Sequence, residues 1–89
     1  MRISKGYTLR TLGQEYILVA EGLKAANFNR MISMNASAAF LWKEVEDKEF
    51  DSEMLVQLLL DNYDITREVA EKDVAALLKS LNEAGVVED

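Results

Sequence analysis

The sequence predicts an α+β fold in which a three-stranded antiparallel sheet is followed by three helices, in a winged helix-turn-helix-like arrangement. Two observations predict it. Within residues 7–34, apolar and polar side chains alternate in short runs, the pattern of strands with one buried face. Beyond residue 35, apolar residues recur at helical spacing behind residues that favour helix N-termini.

Two strands are predicted at Tyr7–Leu12 and Glu15–Ala20. Gly13-Gln14 separates them, and a two-residue connection with glycine suits a tight hairpin. The two strands should therefore be antiparallel neighbours. Alternation resumes at Phe28–Met34, which predicts a third, shorter strand.

Three N-cap residues mark the predicted helices, because their side-chain oxygens can accept an orphan backbone N–H. Asn35 precedes the first helix, Asp51 a second helix that runs to about Asn62, and Thr66 a third helix that stops at Gly85. The predicted core stripes are Met54, Leu55, Leu58 and Leu59 on the second helix, and Val74, Leu77, Leu78 and Leu81 on the third. Trp42 of the first helix is assigned to the core, with its indole N–H reaching a partner at the surface.

The composition favours one folded domain over residues 1–89 and argues against an enzyme. At 89 residues, 49% hydrophobic and 29% charged, the chain has enough apolar material for one core. It contains no cysteine and no histidine, so it lacks disulfides, thiolate nucleophiles, the usual zinc ligands and the commonest general base. We therefore expect no catalysis, no cofactor and no metal.

The net charge of −6 disfavours binding to nucleic acid. Residues 1–43 carry six basic and two acidic side chains, whereas residues 44–89 carry four basic and fourteen acidic ones. The opposite net charges of the two halves either attract the halves to each other or orient a charged peptide that lies between them. No segment has the apolar length of a signal peptide or a membrane span, so we expect a cytoplasmic protein without a membrane partner.

One flank of the third strand, from Arg30 to Met34, is expected to lie at the edge of the sheet. Unpaired N–H and C=O groups at such an edge are a template for another strand. That strand can be an extended peptide, or the same edge of a second copy in a homodimer.

The run from Ser33 to Trp42, SMNASAAFLW, resembles the hallmark of the pyrroloquinoline-quinone synthesis protein D family, in which a hydrophobic residue and asparagine precede small residues and a tryptophan-bearing helix. The later positions Asp73-Val74, Leu77-Leu78, Leu81 and residues 84–87 resemble the family's closing helix and terminal apolar pair. The resemblance covers nearly the whole chain.

The resemblance implies a recognition element for ribosomally made, post-translationally modified peptides. Such a domain binds the leader of a precursor peptide and presents it to a modifying enzyme, typically of the radical S-adenosylmethionine class, in pyrroloquinoline quinone biosynthesis or in another pathway. The leader would add as a strand beside the third strand, in a groove completed by the third helix. The candidate peptide-binding residues are Arg30, Met31, Ile32 and Ser33 on the strand, and Val69, Lys72, Asp73 and Ala76 on the helix.

Several of these residues have a second interpretation. Arg30 is either a solvated surface cation or a contact to an acidic leader residue. Met31 either packs in the core or binds the peptide. An i,i+4 pair with Glu68 is the more ordinary role for Lys72. Met34 is assigned to the core.

Two further functions compete with peptide capture. A DNA-binding winged helix fits the element order, but its recognition helix would present three basic against four acidic side chains. A purely structural dimerisation module fits the free edge strand.

Overall fold

The computed structural model describes residues 1–22 and 32–88. Arg30, Met31 and the beginning of the predicted third strand lie outside the described residues. The elements in chain order are β1 Arg2–Ile3, β2 Tyr7–Leu12, β3 Glu15–Ala20, β4 Ile32–Met34, α1 Ala36–Val45, α2 Ser52–Asn62, α3 Arg67–Glu83 and β5 Val87–Glu88. The predicted α+β order of a three-stranded sheet followed by three helices is confirmed.

The three-stranded sheet has the order β2-β3-β4, with both pairs antiparallel. The β2–β3 hairpin turns at Gly13, whose φ of +65° is the left-handed conformation that glycine adopts without a steric cost. Leu18 lies opposite Ile32 and Tyr16 lies opposite Met34. In these cross-strand pairs the side chains of β3 and β4 point to the same face of the sheet, which is the face that packs against the core.

The three predicted N-caps are confirmed, because each cap side chain accepts a hydrogen bond from the backbone N–H three residues on. The N–H of Ala38 donates to Asn35 at 2.9 Å, that of Met54 to Asp51 at 2.8 Å, and that of Val69 to Thr66 at 3.3 Å. Each satisfies one of the four orphan donors at a helix start.

The end of α3 leads into a second, two-stranded sheet that the sequence did not predict. Gly85, at φ +74°, ends the helix in a Schellman motif: its N–H donates to Asn82 and the next N–H, of Val86, donates to Leu81 at 2.9 Å. The chain then forms β5, which pairs antiparallel with β1. The two ends of the described chain are thereby joined.

The core lies between the sheet and the helices. Its largest fully buried side chains are Trp42, Leu18, Leu41, Leu55, Leu59, Val74 and Val86. The predicted stripe on α2 was wrong at one position: Met54, in the first turn, is 40% exposed, and Val56 is buried instead. The expectation for the Trp42 indole was also wrong, since its Nε1 is buried and has no hydrogen-bond partner among the described residues.

Candidate functional site

A groove of about 200 Å³ lies between the edge strand β4 and the helix α3. The beginning of α1 closes one part of it, and a leucine of α2 lies at its base. The described residues that line it are Ile32, Ser33, Met34, Asn35, Ser37, Ala38, Leu41, Leu59, Asp73, Ala76, Leu77 and Ser80. All three residues of β4 are among them.

The open flank of β4 forms one wall of the groove. Because the sheet order is β2-β3-β4, β4 pairs with β3 on one side, and no described strand pairs with its other side. An edge strand presents N–H and C=O groups along its free flank. The groove therefore combines main-chain hydrogen-bonding capacity with a side-chain surface.

One face of α3 forms the opposite wall. Asp73, Ala76, Leu77 and Ser80 follow the i, i+3, i+4, i+7 spacing that places residues on one side of a helix. Seven residues of helix rise about 10 Å, which matches the roughly 10 Å length of a three-residue strand such as β4. The two walls are therefore about equally long, and each matches the length of about three residues of extended chain.

The base of the groove is apolar and its rim is polar. Met34, Leu41 and Leu59 are 5%, 2% and 1% exposed and belong to the core. Asn35 lies on the rim, where its side-chain oxygen accepts from the Ala38 N–H and from the Ser37 hydroxyl at 3.0 Å. The groove therefore offers apolar contacts at its base, and the hydrogen bonds of the α1 N-cap fix the side chains of Asn35 and Ser37 at its rim.

Ion pairs occupy the outer surface of α3 near its beginning. Arg67 donates to both carboxylate oxygens of Glu53, at 2.6 and 2.5 Å, and to Glu71 at 3.2 Å. The hydrogen bond and charge of Glu53, followed by those of Glu71, raise the pKa of Arg67 above its ordinary value. Lys72 lies 3.9 Å from Glu68, which confirms the predicted i,i+4 pair.

The structure brings four of the eight sequence-predicted site residues together. Ile32 and Ser33 line the groove from β4, and Asp73 and Ala76 line it from α3. Val69 and Lys72 are exposed and do not line it, and Arg30 and Met31 lie outside the described residues. The sequence interpretation missed Ser37, Ala38, Leu77 and Ser80, of which the last two follow from the helical spacing that begins at Asp73.

Within the described residues, no group of three His, Cys, Asp or Glu side chains is arranged to hold a metal ion. The same part of the chain contains no helix with the length and apolar character needed to cross a bilayer.

The family model described as Coenzyme PQQ synthesis protein D matches residues 13–87. The chain belongs to the coenzyme PQQ synthesis protein D family. The family that the sequence resembled is thereby confirmed. The matched segment contains the whole of β3, β4 and the three helices, and with them the groove between β4 and α3.

Solved structures share this fold of the coenzyme PQQ synthesis protein D family. One is described as TbiB1 in complex with the TbiA(beta) leader peptide; it has a TM-score of 0.74 and 19% identity, over 99% of this chain and 95% of that one. Another is lasso peptide synthetase B1 complexed with the leader peptide, with a TM-score of 0.68 and 24% identity, over 99% and 96% of the two chains. None of the curated proteins matches the chain.

Proposed function

We propose that the chain is a non-catalytic adaptor that binds the leader of a ribosomally made precursor peptide by β-strand addition to β4. The leader would lie antiparallel or parallel to β4, inside the groove, and cover the face of α3 that carries Ala76. It would thereby become the fourth strand of the sheet.

The observation that carries this proposal is the open flank of β4 directly beside an apolar-based groove. Main-chain hydrogen bonds contribute about 0.5 to 1.5 kcal/mol each, so three residues of strand need help from side-chain burial. The half-buried side chains of Ile32 and Leu77 and the exposed Ala76 offer the apolar surface for that burial. Strand addition with pockets for alternate side chains is a general mode of peptide recognition.

The family and the structural neighbours support a leader peptide as the ligand. The family description names a synthesis protein for coenzyme PQQ, and two neighbours with the same fold are described in complex with leader peptides. The absence of histidine and cysteine from the sequence supports binding in place of catalysis.

The adaptor would present the bound leader to a modifying enzyme. We propose a radical S-adenosylmethionine enzyme on the strength of the family resemblance. Copurification with the radical enzyme encoded nearest the gene would test this partner. A ternary complex with the precursor peptide would support it, whereas a complex with a modifying enzyme of another class would contradict it.

An NMR titration with a synthetic leader peptide tests the binding site. Backbone amides of residues 32–35 and 69–80 should shift together with one dissociation constant, while those of β1 and β5, which do not line the groove, stay in place. A scrambled peptide of the same composition is the control. Shifts confined to the β1–β5 sheet, or no saturable shifts with any encoded leader, would contradict the proposal.

A further inference from the structure

Asp73 is the one charged side chain among the described residues that line the groove. It is exposed, and the positions three and four residues away along α3, where a helical partner would stand, hold apolar residues. The neighbouring Lys72 lies near Glu68. No ion pair joins Asp73 to another described residue.

A peptide that covers the groove would change the surroundings of this carboxylate. It would displace water from the α3 wall and lower the local dielectric, which strengthens the attraction of Asp73 for a cation and its repulsion of another carboxylate. The net charge of the chain, −6, acts in the same direction by favouring the approach of basic peptides.

We propose that Asp73 is a specificity-determining residue that selects leader peptides carrying a lysine or arginine next to the side chain that enters the apolar base. This inference rests on the proposed function of the groove. The basic side chain donates a charge-assisted hydrogen bond to the Asp73 carboxylate at the α3 wall. A leader with glutamate or aspartate at that position is rejected.

Selection of random short peptides from a display library tests the proposal and does not require the sequence of the leader. Wild-type protein should enrich peptides with lysine or arginine at one fixed distance from a shared apolar residue. Asp73→Asn should lose this enrichment, and Asp73→Lys should enrich aspartate or glutamate there. Glu83→Gln is the matched control, since it removes the same charge from the same helix outside the groove, and it should select as wild type does.

Affinities of one selected peptide complete the test. Asp73→Asn should weaken its binding about three- to tenfold, and a peptide with glutamine in place of the basic residue should bind both proteins equally. Unchanged enrichment in Asp73→Asn would overturn the role of Asp73 and leave peptide binding intact. Failure to select any peptide that saturates the folded wild-type protein would overturn peptide binding itself, and this inference with it.

Discussion

At the scale of single residues, the groove depends on small side chains on α3. Ala76 is exposed and lines the groove, and its methyl group leaves space between the helix and the free flank of β4. A larger side chain at this position would fill the space that the peptide needs. The neighbouring Ala75 is also exposed, but it faces a different surface depression and does not line the groove.

This pair of alanines gives a matched test. Ala76→Phe should weaken leader binding about tenfold or more, because each 1.4 kcal/mol of lost contact is a factor of ten. Ala75→Phe should bind normally. Both variants should fold, since replacing alanine with phenylalanine in a helix costs only about 0.5 kcal/mol in propensity. Isothermal titration calorimetry and thermal melts measure the two effects; equal affinities for both variants would contradict the position of the groove.

The candidate site could be predicted in part. The sequence shows which residues share one face of a helix, but it does not show which elements that face packs against. Asp73 and Ala76 lie three residues apart, and both line the groove. Lys72, one residue before Asp73, is turned about 100° away around the helix. Ser37 and Ala38 were missed because they reach the groove from α1, and the packing of α1 against β4 and α2 has no signal in the local sequence.

At the scale of elements, each helix begins at a side-chain cap. The Asp51 carboxylate accepts the Met54 N–H at 2.8 Å. Asp51→Ala should lower the free energy of unfolding by about 0.5 to 2 kcal/mol, since the cap is lost and the donor returns to water. Asp51→Asn should be close to wild type, because asparagine caps about as well. Urea denaturation measures both; an equal loss in the two variants would show that the carboxylate stabilises by its charge instead.

The strands and helices that carry a long local pattern were predictable, and the short ones were not. The β2–β3 hairpin follows from alternation around Gly13, and α3 follows from its apolar spacing between Thr66 and Gly85. The β1–β5 pair has two residues in each strand and joins opposite ends of the chain. Such short segments have no measurable period, so their pairing is decided by the packing of the whole fold.

At the scale of the whole molecule, the charge distribution separates peptide binding from DNA binding. In a winged-helix reader, α3 would enter the major groove. Of its three basic residues, Arg67 and Lys72 are in ion pairs with glutamates. We therefore expect no binding to mixed-sequence duplex DNA in a fluorescence anisotropy titration, even at low salt. Binding that weakens steeply with added salt would restore the DNA-reader interpretation.

Peptide binding by strand addition requires a free flank on β4, and amide hydrogen exchange of residues 32–34 reports whether that flank is free. In an antiparallel strand alternate amides face the two sides, so those bonded to β3 should exchange slowly in the free protein and those facing outward should exchange rapidly. Saturating leader peptide should slow the outward amides about fivefold or more, as expected when a backbone hydrogen bond worth about 1 kcal/mol or more forms. The measurement requires a concentration at which sedimentation shows a monomer. Slow exchange at every β4 amide without peptide would show that the chain already pairs both flanks of β4, and strand addition at this edge would then be ruled out.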